Sequence, residues 1–206
     1  MGAQPKEAER LDRDVRQQQI VAACARLIAT RGYADTSIRD VASAVGISTG
    51  TLLHHFESKE QLLTATLVDV GDSILGRMEP KNNARDARAE MRHVVNALLG
   101  ESEDVDIGWR VWIAFWHEAA IHPELGRVAA SLTGKSEAIF EDILRRGFDQ
   151  GVFDCKDPRA SAAELAALID GVAIRLYGEQ GGWSRRRAVA TVLSRVDDWV
   201  PRSSSR

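Results

Sequence analysis

Two short helical patterns separated by a glycine lie in residues 36–63, which read TSIRDVASAVGISTGTLLHHFESKEQLL. Ser37 and Asp40 have the spacing of a capping box, which predicts that a helix begins directly after Ser37. Gly46 ends that helix because glycine readily takes the positive φ of a tight turn. Ser48 is then suited to cap the next helix. Two helices joined in this way form a helix-turn-helix, whose second helix fits the major groove of DNA.

The rest of the sequence also has helical periodicity, and it predicts an all-α fold of about nine helices. Strand-like alternation is absent, and the 206 residues include only 5 prolines. We predict a three-helix DNA-binding head at 12–57 and a larger helical domain for ligand binding and dimerisation at 58–200. Flexible tails are expected at 1–11 and 201–206, and the turn at 80–83 is the strongest break in the helical pattern.

Composition and charge exclude several classes of protein. A hydrophobic content of 44% with 28% charged residues indicates a chain with a core rather than a disordered one. The net charge is −3 and residues 1–60 carry eight basic and eight acidic side chains, so a non-specific DNA coat protein is excluded, whereas a few local phosphate contacts are not. Cys24 and Cys155 are too few for a disulfide framework or a metal cluster, and no cofactor or metal is expected.

The chain also lacks the marks of a membrane or secreted protein. No apolar run approaches the roughly 18 residues needed to cross a bilayer, so no membrane partner is expected. The N-terminus is polar and carries acidic residues, unlike a secretory signal. We therefore expect a cytoplasmic protein.

The second helix of the motif has the residue types that DNA contact needs. Its first residues are small, so the helix can approach base edges closely, and its hydroxyls can reach bases or phosphates. Ser48 leaves backbone N–H groups near a phosphate, where the helix dipole also favours negative charge. The candidate contacts from this region are Ser48, Thr49, Gly50, Thr51, Leu53, His54 and Lys59.

The stretch from Gly32 to Leu63 resembles the TetR family of transcriptional regulators, with many positions matched in fixed register near the N-terminus. The resemblance implies that Thr36, Ser37, Arg39, Ser48, Thr49, Thr51, His54 and Lys59 lie at or near DNA. For Arg39 the alternative is a solvated surface charge. The sequence departs from the family pattern at Leu53, where Tyr is usual, and at Thr49, where Lys is frequent.

Three of the five tryptophans fall within eight residues, at i, i+3 and i+7 of one helical face. Such a face either packs in a core or lines an apolar pocket, and indole rings attract cations. The stretch resembles the C-terminal domain of the BetI-type branch of the TetR family, which implies a cationic or quaternary-ammonium effector. Asp170 is a candidate counter-ion, with a structural hydrogen bond as the alternative. The predicted ligand-binding residues are Trp109, Trp112, Phe115, Trp116, His117 and Asp170.

The last two helices carry apolar stripes that exceed the needs of one packing face. This surplus favours a four-helix interface between two copies, and the alternative is that both helices pack inward in a monomer. The predicted interface residues are Leu165, Leu168, Ile169, Val172, Leu176, Val189, Val192 and Val196. A two-fold dimer would present two heads roughly 34 Å apart, one turn of DNA.

Together these patterns predict a homodimeric repressor that binds a near-palindromic double-stranded operator and is released by a small-molecule effector. A ligand beside the tryptophan helix would tilt the helix at 58–78 and change the separation of the heads. The alternatives are an effector-independent repressor or an activator. An enzyme is not expected, because the sequence has no nucleophile–base pair, paired carboxylates, phosphate loop or metal motif.

Overall fold

The computed structural model describes the backbone of residues 5–79, 86–178 and 182–201, and the side chains in these ranges from Arg13 onward. Within this part of the chain the fold is all-α with nine helices, as the sequence predicted. The helices are α1 Pro5–Arg31, α2 Ile38–Val45, α3 Thr49–His55, α4 Lys59–Met78, α5 Ala87–Leu99, α6 Glu103–Ile121, α7 Pro123–Asp149, α8 Pro158–Tyr177 and α9 Arg185–Asp197. In the same ranges, no helix is long and apolar enough to span a membrane.

The N-terminal helix begins earlier than predicted. α1 starts at Pro5, so the prediction of a loose tail at 1–11 is wrong from that residue onward. Proline is well tolerated in the first turn of a helix, and the following Lys, Glu, Ala, Arg and Leu residues are strong helix formers. The predicted break at 80–83 lies outside the described residues, as do residues 1–4 and most of the predicted C-terminal tail.

The chain divides into two compact units that do not follow the predicted boundary after residue 57. The first unit comprises Met1–Gly71 and Arg110–Val128, and the second comprises Asp72–Trp109 and Ala129–Arg206. The breaks therefore fall within helices rather than in a linker.

The core of the first unit is built from the apolar faces of the long helix α1 and of the short helices α2 and α3. Its buried residues include Ile20, Cys24 and Ile28 of α1, Val41 of α2 and Leu52 of α3. Helices shorter than about 12 residues are only marginally stable alone in water. Burial of apolar side chains therefore stabilises α2 and α3.

The predicted caps of the head are confirmed. Ser37 and Asp40 form the capping box, and Gly46 has φ of 75° and donates its N–H to the end of α2. The Ser48 side chain caps α3. Gln61 donates its backbone N–H to Ser58 Oγ at 3.1 Å, as the spacing of these two residues predicted.

The second unit contains a part-buried ion pair in which the carboxylate is buried and the guanidinium reaches the surface. Glu90 of α5 is 3% exposed, and both of its carboxylate oxygens accept hydrogen bonds at 2.8 Å from the guanidinium of Arg146 on α7. Asp142 accepts a further hydrogen bond at 2.8 Å from Arg146 Nε. The bidentate pair fixes α5 against α7, because the planar guanidinium matches the carboxylate geometry.

Most of the predicted dimer residues are instead part of the interior of the chain. Leu165, Ile169 and Val172 of α8 and Val192 and Val196 of α9 are buried within a single copy, so the prediction that they meet a partner is wrong. They face inward because α8 and α9 pack against each other and α9 also packs on α5. The other three, Leu168, Leu176 and Val189, are half-buried.

Candidate functional site

The outer face of α3 is the most exposed part of the helix-turn-helix. Only Leu52 is buried within the helix, where it anchors α3 to α2 and the core of the first unit. Leu53 is 45% exposed although it is a large apolar residue. The exposed residues of this face are Ser48, Thr49, Gly50, Thr51, Leu53 and His54, all of which the sequence predicted as DNA contacts.

Ser48 organises the start of this face. Its Oγ accepts a hydrogen bond from the Thr51 backbone N–H at 3.0 Å, and the two side-chain hydroxyls lie 2.9 Å apart. The cap leaves the N–H groups of Thr49 and Gly50 at the open end of the helix, where the partial positive charge of the dipole is concentrated. The arrangement suits an approaching phosphate.

The residues before and within α2 have different roles. Thr36 is 1% exposed and its hydroxyl donates to the Gly32 carbonyl at 2.8 Å, so the prediction that this side chain contacts DNA is wrong. The Ser37 hydroxyl belongs to the capping box, where its hydrogen bonds hold the pKa of Asp40 below its ordinary value. Arg39 is exposed, as a phosphate contact requires.

Lys59 is held by the turn between α1 and α2. Its Nζ lies 5.6 Å from the centre of the Tyr33 ring and donates to the Ala34 carbonyl at 3.4 Å. The Tyr33 ring also meets Phe115 of α6 edge to face, with ring centres 5.5 Å apart and planes at 81°. Burial raises the pKa of Tyr33, and the charge of Glu118 raises it further. All of these residues belong to the first unit.

Tyr33 is the functional candidate that sequence reasoning missed. It lies within the stretch that resembles the TetR family, but the sequence pattern predicts no role for it. The available signal was an aromatic residue directly after the glycine that ends α1, and that signal does not reveal a partner 82 positions away.

The tryptophan helix does not present one uniform face. Trp109 is buried and its indole N–H donates to the Leu98 carbonyl at 2.7 Å, which makes it a structural residue of the second unit. Trp112 and Phe115 are buried in the first unit. Trp116 is 44% exposed and meets Trp112 edge to face, with ring centres 6.0 Å apart.

The two remaining predicted ligand residues lie in different surroundings. His117 follows Trp116 and is exposed. Asp170 is half-buried on α8 in the second unit and has an interaction partner within the chain. A structural role for Asp170 is therefore favoured over the role of a counter-ion for a ligand.

These features define a DNA-binding regulator of the helix-turn-helix class. Residues 20–66 match the model of bacterial regulatory proteins of the tetR family, and residues 87–201 match the C-terminal model of the BetI-type transcriptional repressors. The chain belongs to the TetR family, and its C-terminal part is of the BetI type. The family consists of transcriptional regulators rather than enzymes.

The curated relatives support the same assignment over nearly the whole chain. The HTH-type transcriptional regulator BetI of Paraburkholderia xenovorans (strain LB400) is 31% identical over 193 residues, covering 90% of this chain and 93% of the relative. BetI of Burkholderia mallei (strain NCTC 10229) is 33% identical over 175 residues, covering 81% of this chain and 85% of the relative.

Solved structures share the fold. A transcriptional regulator of Saccharomonospora viridis in complex with choline is 28% identical, with a TM-score of 0.80 over 90% of this chain and 98% of that one. A TetR-family regulator of Rhodococcus sp. has the same TM-score at 23% identity, covers 90% of this chain and 98% of that one, and shows the fold alone.

Proposed function

We propose that this protein is a homodimeric repressor that binds a near-palindromic operator and releases it when a small cationic effector binds. The observation that carries this proposal is the Phe115–Tyr33–Lys59 contact chain, which links the tryptophan helix to a predicted phosphate-binding residue.

DNA recognition by α3 follows from the exposure of its outer face. Thr49, Gly50 and Thr51 have no bulk that would keep the helix from the floor of the groove. His54 is exposed in the last turn, where we expect it to contact a phosphate, and the exposed Leu53 offers an apolar contact for a thymine methyl group. Specific affinity from one such short helix is small, so a second head is needed.

The dimer interface is proposed on the outward face of α8. Ala163, Ala167, Gly171 and Ile174 lie at helical spacing, and all four are exposed in the single chain. Ile174 is 54% exposed, and a Cβ added to Gly171 would meet nothing within 4 Å. Small residues along one face let a two-fold related helix approach closely, with the exposed isoleucine packing at the end of the stripe.

A matched pair of variants tests this interface. Ile174→Glu places a charge in the proposed contact, whereas Ile121→Glu changes an equally exposed isoleucine, 61% exposed, in the first unit. Sedimentation should show monomers for Ile174→Glu and dimers for Ile121→Glu. Two dimeric variants would contradict the placement of the interface.

The effector is proposed to be a quaternary ammonium ion such as choline. The Trp116 ring is partly open to solvent and lies edge-on to Trp112, and indole faces bind cations better than other aromatic rings do. The complex of the Saccharomonospora viridis regulator with choline supports the same class of ligand. The proposal places the cation at Trp112 and Trp116 rather than at Trp109, whose indole N–H is already bonded.

Release follows from the aromatic contact between α6 and the head. When a ligand displaces α6, Phe115 moves against Tyr33, and the ring that holds Lys59 shifts with it. Coupling between two sites in a protein is typically worth about 1–3 kcal/mol, which corresponds to a change in affinity of roughly 5- to 150-fold.

The decisive experiment uses genomic fragments selected by the purified protein as the operator. Choline should weaken fragment binding in fluorescence anisotropy and change the tryptophan fluorescence. Trp116→Ala should reduce the choline response while leaving affinity without choline within about twofold, and Phe115→Ala should keep choline binding but lose the response. Operator binding that no cation changes would favour an effector-independent repressor instead.

A further inference from the structure

A cavity of about 340 Å³ lies in the second unit, between the last turn of α4, the end of α5 and the start of α6. Its polar lining consists of Arg77, His93, Asn96, Glu101 and Ser102. Small-molecule sites in proteins have volumes of about 300–1,000 Å³, so this cavity suits a small ligand.

Arg77 is the unusual residue of this lining. Its Nε is buried and has no hydrogen-bond partner in the described part of the chain. Burial lowers the pKa of Arg77, while the charge of Asp104 acts in the opposite direction. The Nη2 atom lies 3.5 Å from the position that a Cβ on Gly108 would occupy, which places the guanidinium beside α6 at ordinary contact distance. Among anionic groups a guanidinium binds a carboxylate best, because the two planar groups match.

Glu101 places the opposite charge in the same lining. A simple anion would be attracted by Arg77 and repelled by Glu101, and a simple cation would meet the reverse. A ligand with both charges gains from each of them. Charge complementarity therefore favours a zwitterion over either singly charged class.

The positive end of such a ligand is defined by what surrounds it. The described lining has no Trp, Tyr or Phe ring of the kind that sites for quaternary ammonium ions use. It instead has hydrogen-bonding groups. The Asn96 amide nitrogen donates to the Arg92 carbonyl at 2.7 Å, which leaves its oxygen as an acceptor, and Ser102 contributes a hydroxyl. These groups suit a primary ammonium, which has three donors.

We propose that this cavity binds a small amino acid whose carboxylate pairs with Arg77 and whose primary ammonium pairs with Glu101. The site is separate from the cation site proposed at Trp112 and Trp116, and it involves no residue of the recognition face. Binding here would join the end of α4 to the α5–α6 corner.

Calorimetric titration of the full chain without DNA tests the proposal at constant ionic strength. The probes are glycine, β-alanine and 4-aminobutanoate, which differ in charge separation, with butanoate and butylammonium as singly charged controls. At least one amino acid should bind about tenfold more tightly than either control, since only it satisfies both charges. Trimethylation of its nitrogen should weaken binding about threefold or more, because the donors are lost.

Three variants locate the site. Arg77→Met should weaken binding of the best amino acid about tenfold or more, and Glu101→Gln about threefold. Arg127→Met removes an exposed arginine in the first unit and should stay within about twofold. Glu101 is exposed, so its variant remains informative if Arg77→Met fails to fold.

The proposal is overturned if no probe binds, or if butanoate binds as tightly as the amino acids. Tighter binding by Glu101→Gln would overturn it as well, because that result indicates a simple anion site. None of these measurements uses DNA or choline, so their outcome does not depend on whether the proposed repressor function is correct.

Discussion

Substitution of the serine that caps the recognition helix gives a direct test of how α3 is used. Ser48→Ala removes the Oγ that accepts the Thr51 N–H at 3.0 Å and lies 2.9 Å from the Thr51 hydroxyl. Loss of a serine cap costs about 1 kcal/mol. α3 has only seven residues, so this cap and the burial of Leu52 are its main supports.

The expected effect on DNA binding follows from that cost. A tenfold change in affinity corresponds to about 1.4 kcal/mol, so a cost of about 1 kcal/mol weakens binding roughly fivefold. This applies if α3 has to re-form in one head on binding DNA, and the effect is roughly thirtyfold if it has to re-form in both heads. We therefore expect the operator dissociation constant of Ser48→Ala to rise about five- to thirtyfold. No cation is lost, so the dependence of the dissociation constant on salt should be unchanged.

Ser184→Ala is a matched control within the same chain. Ser184 Oγ caps α9 by accepting the Arg187 N–H at 3.2 Å, and this residue belongs to the second unit. Urea unfolding should show a similar loss for both variants, about 1 kcal/mol, while anisotropy at dimer-forming concentrations should show weaker binding for Ser48→Ala only. Equal operator affinities for wild type and Ser48→Ala would refute the placement of α3 in the groove. An equal loss of operator affinity in Ser48→Ala and Ser184→Ala would instead indicate a general effect of stability.

Three further outcomes test other parts of the structure. Lys59→Met should lower the salt slope of operator binding by about one for each head, since a slope of about 0.9 accompanies each phosphate contact. Lys135 is an exposed lysine of α7 in the second unit, and Lys135→Met should leave the slope unchanged. Arg146→Met should lower the free energy of unfolding in urea by about 3–5 kcal/mol, because Glu90 is 3% exposed and loses its cation; a loss below about 1 kcal/mol would contradict this assignment. Burial, followed by a hydrogen bond to an aspartate, raises the pKa of Tyr177 to about 12. Since this folded-state pKa exceeds the ordinary value of 10.0, the associated stability should persist below pH 10 and be lost as the pH rises toward 12. Absorbance at alkaline pH should show that at least one of the two tyrosines ionises only in that range.

The parts of the fold that the sequence predicted well are those fixed by a few neighbouring residues. The capping box at Ser37 and Asp40, the turn at Gly46 and the cap at Ser48 each depend on groups within four positions of one another. The exposed face of α3 follows from the same local information, because once the cap and Leu52 are placed the helical period fixes the other residues.

Burial that depends on distant partners was not predictable in the same way. Thr36 has a residue type that is common at DNA interfaces, yet its hydroxyl is used by the Gly32 carbonyl and its side chain is enclosed by the core. Trp109 and Trp112 share a helical face in the sequence, but they belong to different compact units. Helical periodicity identifies a face and does not identify what covers it.

The predicted dimer stripe failed for a related physical reason. The large apolar residues of α8, such as Leu165 and Ile169, are taken up by the interior of the chain itself. The exposed positions of that helix include Ala163, Ala167 and Gly171, small residues that the sequence already favoured for a close approach of two helices. Close helix packing depends on small residues as much as on large ones, so the outward stripe is the better candidate for an interface.

The predicted DNA-binding residues are held either by contacts within their own helix or by contacts with a distant helix. Ser48 and Thr51 are fixed by hydrogen bonds within α3, whereas Lys59 is fixed by Tyr33 and through it by Phe115 of another helix. A displacement of α6 would therefore reach Lys59, the proposed phosphate contact, before it reaches Thr51 on the face of α3 that is proposed to meet the bases. Phosphate contacts carry affinity and base contacts carry sequence preference. Under the proposed mechanism, an effector would therefore lower the affinity for every operator by a similar factor and leave the choice among operators to α3.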